Sequence, residues 1–412
     1  MLTNFAKPWI AALLTSRWLL QLKRFSYECY RKVFVRHHPV TFYYSCYDPY
    51  SHLTAQVLAE LVMFFDVKLK IVIVGATNQI DEPAHINYAL RDCQQLSKRY
   101  QLSDFSNSEI PSQAAFNAAN NLLLSGELTL ERLIAIGQQL WCQPELLNMK
   151  QHPALTTHLA LKLKKNTAQL LAKGHFQSAV LHYGHEWYWG LDRLSFLTQR
   201  LKELNACKMD NRLLDFGSEN SQATNQIRKS ELIDVYISFR SPYSYIALCK
   251  LARQPNLNIN LKPILPMVMR GMELSQTKKM CILLDAARVA HASEIPFGKI
   301  RDPLGQGIHD CINLFYFANT KGKSLEMITE LMTGIWSQGL DVNDRNVLKS
   351  VVEGLDLNWQ QALDAMSANH GVHQAHVNSD DLAELGLWGV PSFKVGQTIY
   401  WGQDRFKDIL SS

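Results

Sequence analysis

A serine stands directly before a proline at the predicted start of a helix, in the sequence FRSPYS of residues 239–244. Serine is favoured as a helix N-cap and proline at the first helical position, so Ser241 is predicted to cap a helix that follows directly on a strand. Backbone N–H groups and the positive end of the helix dipole favour an anion there, such as a thiolate. A serine hydroxyl can also donate a hydrogen bond to a bound thiolate and lower its pKa. The alternative is that Ser241 only caps the helix.

Two further candidates lie near the C-terminus. The sequence WGVPSF, residues 388–393, contains a Val-Pro step that enters a predicted edge strand and is a candidate cis peptide. A cis bond would turn the carbonyl and N–H groups of Val390 outward, where an extended peptide ligand can pair with them; the alternative is an ordinary trans proline. Asp404 opens the last predicted helix, where its carboxylate can bind an α-ammonium group. The alternative is that it is only an acidic residue in the first turn, where the helix dipole favours a negative charge.

These candidates belong to segments that occur twice in the chain. Val40–Leu53 (VTFYYSCYDPYSHL) aligns with Ile233–Ile246 (IDVYISFRSPYSYI) at an offset of 193 residues, and the same offset extends over a second predicted strand, Val67–Val74 against residues 260–267. Near the end of each copy, YWGLDRL from Tyr188 matches YWGQDRF from Tyr400 at an offset of 212. Two ordered, gapless matches predict a tandem duplication.

The same order of elements is predicted in each copy: a strand (Val40–Ser45; Ile233–Phe239), a proline-initiated helix, a second strand, a helical block, a hairpin and a last helix. The helical block includes Ala114–Gln139 and Ser324–Met366, and the hairpins turn at Gly184 and Gly396. The fold class is therefore α/β. The predicted divisions are an N-terminal helical extension (1–39), a first domain (40–214), a polar linker (215–230) and a second domain (231–412).

With S-P-Y-S-Y after a strand, V-P-S-F before a hairpin and Y-W-G-x-D-R before the last helix, the chain resembles the 2-hydroxychromene-2-carboxylate isomerase family. That family is allied to kappa-class glutathione transferases within the DsbA-like branch of the thioredoxin fold. The resemblance covers residues 233–410 well and residues 40–204 as a diverged copy. It implies two tandem thioredoxin-like, DsbA-type domains, each with an inserted helical block.

The resemblance also implies glutathione as the cofactor and a site in the second domain. By this similarity Ser241 holds the glutathione sulfur, Val390 beside cis Pro391 pairs with the cysteinyl backbone, and Gln403 and Asp404 hold the γ-glutamyl end. Tyr243 and Arg270 are the candidate substrate contacts. Arg270, Lys299 and Arg301 are cations that can recognise an acidic substrate, with solvated surface as the favoured alternative for all three. The family's asparagine after the second strand has no match in residues 266–271.

The first copy is predicted to lack this site, because Asp48 stands at the position of Ser241 and Ala179 at that of Pro391. A carboxylate repels a thiolate, and without proline a cis peptide is improbable. The first domain is therefore interpreted as a structural or partner-forming domain that replaces the second subunit of a dimer. This gives either a monomer with internal pseudo-symmetry or a homodimer.

Composition narrows the remaining classes. The 412 residues carry a net charge of only +5, which argues against nucleic acid as a partner, and a small-molecule substrate is expected. Eight cysteines include no C-x-x-C pair, and histidine clusters at 370–376 and 175–185 lack acidic or cysteine partners at ligand spacing, so no metal site is predicted.

The apolar stretch Trp9–Leu20 is predicted as a helix packed on the body, with a membrane-surface amphipathic helix as the alternative and no stable membrane insertion. The expected location is cytoplasmic, because scattered single cysteines are typical of a reducing compartment.

Three functions are compatible with the sequence. The first is a glutathione-dependent enzyme whose bound sulfur acts as a nucleophile, in isomerisation or conjugation of a small unsaturated substrate. The second is a DsbA-like thiol–disulfide oxidoreductase, which is disfavoured because S-P-Y-S has oxygen at both positions where a C-P-x-C site has sulfur. The third is a non-catalytic scaffold, which predicts no affinity for glutathione.

Overall fold

The structure, a computed structural model, describes residues 2–76, 83–103, 105, 109–147, 154–209, 231–254 and 256–411. The chain forms two compact units: an N-terminal unit of Leu22–Gln222, and a C-terminal unit of Ala223–Ser412 together with Met1–Gln21. The predicted extension, residues 1–39, divides between the two units, and the predicted linker, 215–230, lies outside the described residues.

The N-terminal unit contains a four-stranded sheet and a set of helices. Its elements in chain order are α2 (Arg17–Phe34, of which Leu22 onward belongs to this unit), β1 (His38–Tyr44), α3 (Pro49–Phe64), β2 (Val67–Ile73), α4 (Pro83–Arg99), α5 (Gln113–Ser125), α6 (Leu130–Cys142), α7 (Thr157–Ala172), β3 (Val180–Tyr183), β4 (Glu186–Trp189) and α8 (Leu194–Glu203). The strand order is β2-β1-β3-β4, with β2 parallel to β1 and with β3 antiparallel to both β1 and β4.

The C-terminal unit repeats this strand order around a larger helical block. Its elements are α1 (Leu2–Leu14), β5 (Leu232–Ile237), α9 (Pro242–Ala252), β6 (Asn258–Pro263), α10 (Gln276–Ala292), α11 (Gln306–Asn319), α12 (Ser324–Ser337), α13 (Arg345–Gly354), α14 (Trp359–Ala368), α15 (His370–Glu384), β7 (Ser392–Val395), β8 (Thr398–Trp401) and α16 (Phe406–Ser411). The strands lie in the order β6-β5-β7-β8, with the same pairing directions.

Strand registers relate the two sheets residue by residue. Thr41 pairs with His182 in one sheet and Asp234 pairs with Lys394 in the other, which reproduces the offsets of 193 and 212. The second strand is a correction: Val40 lies beside Leu69, whereas Ile233 lies beside Ile259, so β2 and β6 correspond at an offset of 190. The alignment at 193 was wrong here because α3 and α9 differ in length, and strand pairing rather than chain spacing sets the register.

Local chemistry accounts for the elements that carry the site. The proline at the first position of α3 and α9 has no N–H to leave unpaired, and Asp48 and Ser241 accept backbone N–H groups as the two N-caps. Each hairpin turns through two residues that begin with a glycine at positive φ, Gly184 or Gly396. A further correction concerns β7, which was predicted as an edge strand but lies between β5 and β8.

Both sheets are buried by helices. In the C-terminal sheet Val235, Ile237 and Phe393 are completely buried, and so are their counterparts in the N-terminal sheet, Phe42, Tyr44 and Leu181. The predicted helical stretch 114–139 is interrupted between α5 and α6, and 324–366 forms α12, α13 and α14. Among the described residues, none of the helices combines the length and apolar character needed to cross a membrane.

Candidate active site

The end of β5 and the start of α9 place Ser241 opposite the segment that precedes β7. Ser241 is half-buried, and its Oγ accepts a hydrogen bond from the N–H of Ser244 at 3.2 Å. The same hydroxyl donates to the carbonyl oxygen of Val390, also at 3.2 Å. A serine hydroxyl has one hydrogen, so a ligand that takes it must replace Val390 as the acceptor. The structure thus brings Ser241 and Val390 together.

The Val390–Pro391 peptide bond is cis, as the Val-Pro step predicted. The carbonyl oxygen of Pro391 accepts the N–H of Gly402 at 2.9 Å, which joins this segment to the start of the last helical turn. Ser392 donates its hydroxyl to the carbonyl of Gly389 at 2.7 Å. Backbone and side-chain hydrogen bonds therefore hold the segment in place from both sides.

Gly389 is required by the packing of a tryptophan. A Cβ built on Gly389 would lie 2.3 Å from the indole ring of Trp401. The indole also packs edge-on against Trp388, with ring centroids 5.1 Å apart. Any side chain at position 389 would push the ring away from the segment that carries Val390.

Gln403 and Asp404 lie at the next turn, together with a lysine that was not predicted as part of the site. Gln403 is buried, its side-chain oxygen accepts from Nζ of Lys250 at 2.7 Å, and its nitrogen donates to Oδ1 of Asp404. Gln403 therefore orients one cation and one carboxylate that are themselves only half-buried. Lys250 lies in the last turn of α9, and no local motif marks it.

The two predicted substrate contacts have partners within the protein. Tyr243 donates its hydroxyl to Oδ2 of Asp285 on α10 at 2.7 Å. Arg270 donates to the carbonyl oxygens of Leu265 (3.0 Å) and Trp388 (2.6 Å), and burial lowers its pKa. Arg270 thus ties the loop after β6 to the segment before Val390, which is a positioning contact.

The other predicted cations are also engaged. Lys299 lies over the ring of Trp9 at 4.4 Å, and Arg301 pairs with Asp341. Arg240, next to Ser241, forms a two-pronged ion pair with Asp302 at 2.7 Å for each contact. His370, His373 and His376 are exposed on α15. Within the described part of the chain no group of histidine, cysteine or acidic residues has the geometry of a metal site.

The equivalent position in the N-terminal unit is filled by polar side chains. Asp48 is buried and accepts hydrogen bonds from Ser178 Oγ (2.7 Å), Tyr50 N–H (3.0 Å) and Ser51 Oγ (3.2 Å). Burial raises the pKa of this carboxyl group to about 6, although these hydrogen bonds act in the opposite direction. Ala179, at the position of Pro391, donates its N–H to Ser51 Oγ at 3.1 Å.

The cysteines of the C-terminal unit do not resemble reactive thiols. Burial raises the pKa of Cys249 and Cys311, and raises that of Cys281 to about 11. Redox-active cysteines have lowered pKa values, since the thiolate is the reactive species. All three side chains therefore favour the neutral thiol.

Comparisons with known proteins agree with the motif resemblance. Residues 232–412 match the model of the DSBA-like thioredoxin domain. The chain is 25% identical over 194 residues to 2-hydroxychromene-2-carboxylate isomerase of Sphingobium xenophagum, which covers 44% of this chain and 97% of that protein. The isomerase of Pseudomonas putida is 22% identical over 185 residues, covering 42% of this chain and 90% of that protein.

Among solved structures, a 2-hydroxychromene-2-carboxylate isomerase is 21% identical, with a TM-score of 0.39 over 44% of this chain and 93% of that chain. By the sequence match, residues 232–412 contain a DsbA-like thioredoxin domain with isomerases among its relatives, and the family resemblance predicted from the motifs is confirmed for this half of the chain.

Proposed function

Because residues 232–412 contain a DsbA-like thioredoxin domain with isomerase relatives, we propose that the chain is a glutathione-dependent enzyme acting through Ser241. The substrate class is a small unsaturated molecule, which is isomerised or conjugated. The observation that carries the proposal is the Ser241 hydroxyl, half-buried at a helix N-terminus and within hydrogen-bond distance of the Val390 carbonyl. When bound, glutathione supplies a nucleophilic sulfur.

The residues present fit such a ligand at both of its ends. Ser241 can transfer its one hydrogen bond from the Val390 carbonyl to a thiolate, and the positive end of the α9 dipole favours the same anion. The Val390 carbonyl is then available to accept a peptide N–H. Lys250 and Asp404, which Gln403 holds together, offer opposite charges to an α-carboxylate and an α-ammonium group.

Two assignments refine the sequence-based expectation. We assign Gln403 to positioning Lys250 and Asp404, because its oxygen and nitrogen are engaged with those residues. We assign Arg270 to holding the Trp388 carbonyl, and hence the Val390 segment. The N-terminal unit is proposed to be a diverged copy of the same domain without a site, with the domain limits 40–214 and 231–412.

Titration calorimetry with glutathione tests the proposal in the natural chain, in Ser241→Ala and in a matched control, Ser178→Ala. The control removes a hydroxyl beside the helix cap of the N-terminal unit. Loss of the Ser241 hydroxyl should raise the pKa of the bound thiol by about one unit, the effect of one hydrogen bond to a charged group. Ultraviolet absorbance of the thiolate measures that pKa.

Three results would contradict the proposal. Equal thiol pKa values in the natural chain and Ser241→Ala would reduce Ser241 to a helix cap. Absence of glutathione binding would favour a scaffold. Reduction of protein disulfides that persists after Cys249 and Cys281 are replaced by serine would require a different mechanism.

A further inference from the structure

Helix α2 presents an apolar surface to solvent in the N-terminal unit. Leu22, Phe25, Tyr30, Val33 and Phe34 are each between 48% and 72% exposed in the whole chain. With 3.6 residues per turn, Leu22, Phe25 and Val33 lie within about 80° of one another on the helix. We call the five residues the α2 apolar stripe.

The opposite side of α2 is charged and buried, so the helix has the reverse of the usual polarity. Glu28 accepts hydrogen bonds from Arg31 at 2.6 Å and from Arg200 of α8 at 3.2 Å. Arg24 forms a two-pronged ion pair with Glu186 of β4, at 2.8 Å for each contact. Turning the apolar stripe inward would leave these buried charges without partners, which is strongly unfavourable. The stripe is therefore held outward by the fold itself.

The exposed charges that residues 22–36 themselves contribute are of one sign. Lys23, Lys32 and Arg36 are exposed, and Glu28, the single acidic residue between positions 22 and 36, is buried. By helical geometry Lys32 lies at the edge of the stripe beside Phe25, and Lys23 lies on the other side of the stripe, between Tyr30 and Phe34. An apolar face with aromatic residues and bordering lysines matches an anionic lipid surface. A second copy of the chain on the same face would bring these cations against each other.

We propose that α2 binds the surface of an anionic membrane, with its axis in the plane of the interface and the apolar stripe in the lipid. Phe25 and Val33 enter the apolar boundary, while Lys23 and Lys32 contact lipid phosphates. The proposal does not depend on glutathione, because none of these residues belongs to the Ser241 site.

The test is flotation of the full chain with vesicles of phosphatidylcholine alone or with about 30% phosphatidylglycerol added. The natural chain should bind the anionic vesicles, and raised salt should weaken that binding. Phe25→Ser combined with Val33→Ser should reduce binding at least about tenfold. The matched control, Met63→Ser with Leu161→Ser, changes two residues of the same unit that are 53% and 62% exposed and should have no effect.

A charge variant gives a second measurement. Lys23→Gln with Lys32→Gln should reduce the affinity for anionic vesicles by about 30-fold, since each cation near the surface contributes about 1 kcal/mol. Equal binding by the stripe variant and its control would overturn the proposal. So would failure of the natural chain to bind anionic vesicles. If sedimentation velocity showed a dimer that the stripe variant dissociates, without vesicle binding, the occupant would be a second copy instead.

Discussion

The two helix starts that follow the first strand of each unit share a backbone arrangement and differ in their polar groups. Asp48 caps α3 and is buried under three donors, whereas Ser241 caps α9, is half-buried and donates its hydroxyl to a single backbone carbonyl. The carboxylate oxygens of Asp48 thus already accept hydrogen bonds from groups of the protein. The second cap, Ser241, has one hydrogen bond that a ligand can take over.

The opposing segments show the same contrast. Gly190 and Gly402 donate their N–H groups to Ala179 and Pro391 at 2.8 and 2.9 Å, so the surrounding backbone is retained. Ala179 also donates its own N–H to Ser51, an interaction that Pro391 cannot make because proline has no N–H. A few side-chain changes, together with a local change of backbone where Ala179 at positive φ replaces the cis Pro391, therefore separate a closed position from an open one.

The largest expected effect comes from giving the second unit the cap of the first. In Ser241→Asp a carboxylate would face the bound thiolate, and at about 4 Å and an effective dielectric constant of about 20 their repulsion is about 4 kcal/mol. Glutathione affinity should fall by about 1,000-fold, measured by calorimetry above the thiol pKa. Ser241→Asn is the control, because asparagine caps the helix without adding a charge. Unchanged affinity in Ser241→Asp would mean that the sulfur binds elsewhere.

The next effect concerns Gly389, which aligns with Gln177 of the N-terminal unit at the offset of 212. Gly389→Ala should cost about 3 kcal/mol, because the new Cβ and the Trp401 ring cannot both keep their places. In the other unit Trp189 packs on Tyr50, with centroids 5.0 Å apart, and position 177 accepts a side chain. The loss of stability is measured by thermal unfolding and by hydrogen exchange of the backbone amides in β7 and β8. Gln177→Ala should change stability by less than about 0.5 kcal/mol, and equal losses would remove the distinction.

The buried carboxyl group of Asp48 predicts a pH dependence confined to the N-terminal unit. Its pKa is raised from 3.8 to about 6, so the folded state retains a proton that the unfolded state has lost. Its contribution to stability is therefore greatest below pH 4 and declines as the pH rises through 6. Asp48→Asn keeps a capping oxygen and cannot ionise, so its advantage should grow by about 2 kcal/mol from pH 4 to pH 7. Hydrogen exchange of α3, corrected for intrinsic rates, measures this, with α9 as the internal control. A constant difference between the two proteins would contradict the assignment.

Sequence could predict those parts of the fold that local chemistry sets. The capped helix starts at Asp48 and Ser241 and the glycine turns at Gly184 and Gly396 follow from residue preferences within a few positions. Strand order and register depend on pairing between distant segments. For that reason the predicted correspondence of β2 and β6 was three residues out, and β7 was assigned to an edge that β8 occupies.

The site divides in the same way. The position of Ser241 could be anticipated because S-P-Y-S carries its own capping signal. Lys250 could not, since its contact with Gln403 joins positions 153 residues apart and neither neighbourhood marks it. The engagement of Arg270 by two backbone carbonyls was equally hidden, because the sequence shows only the charge, which left substrate recognition and solvated surface as the alternatives.

The smallest effect tests whether Arg270 positions the open segment. The guanidinium of Arg270 donates to the carbonyl oxygens of Leu265 and Trp388 at the same time. A lysine has a single ammonium nitrogen at the end of its side chain, so it can reach only one of these two oxygens. Arg270→Lys should therefore lose one hydrogen bond, about 1 kcal/mol, and weaken glutathione binding by about fivefold while leaving the pKa of the bound thiol unchanged. A substrate-binding arginine would instead raise KM for the second substrate at constant glutathione affinity. The glutathione affinity and the KM for the second substrate are both measured in Arg270→Lys, and the comparison of the two separates positioning from substrate recognition. The control is Arg240→Lys, because Arg240 pairs with the exposed Asp302.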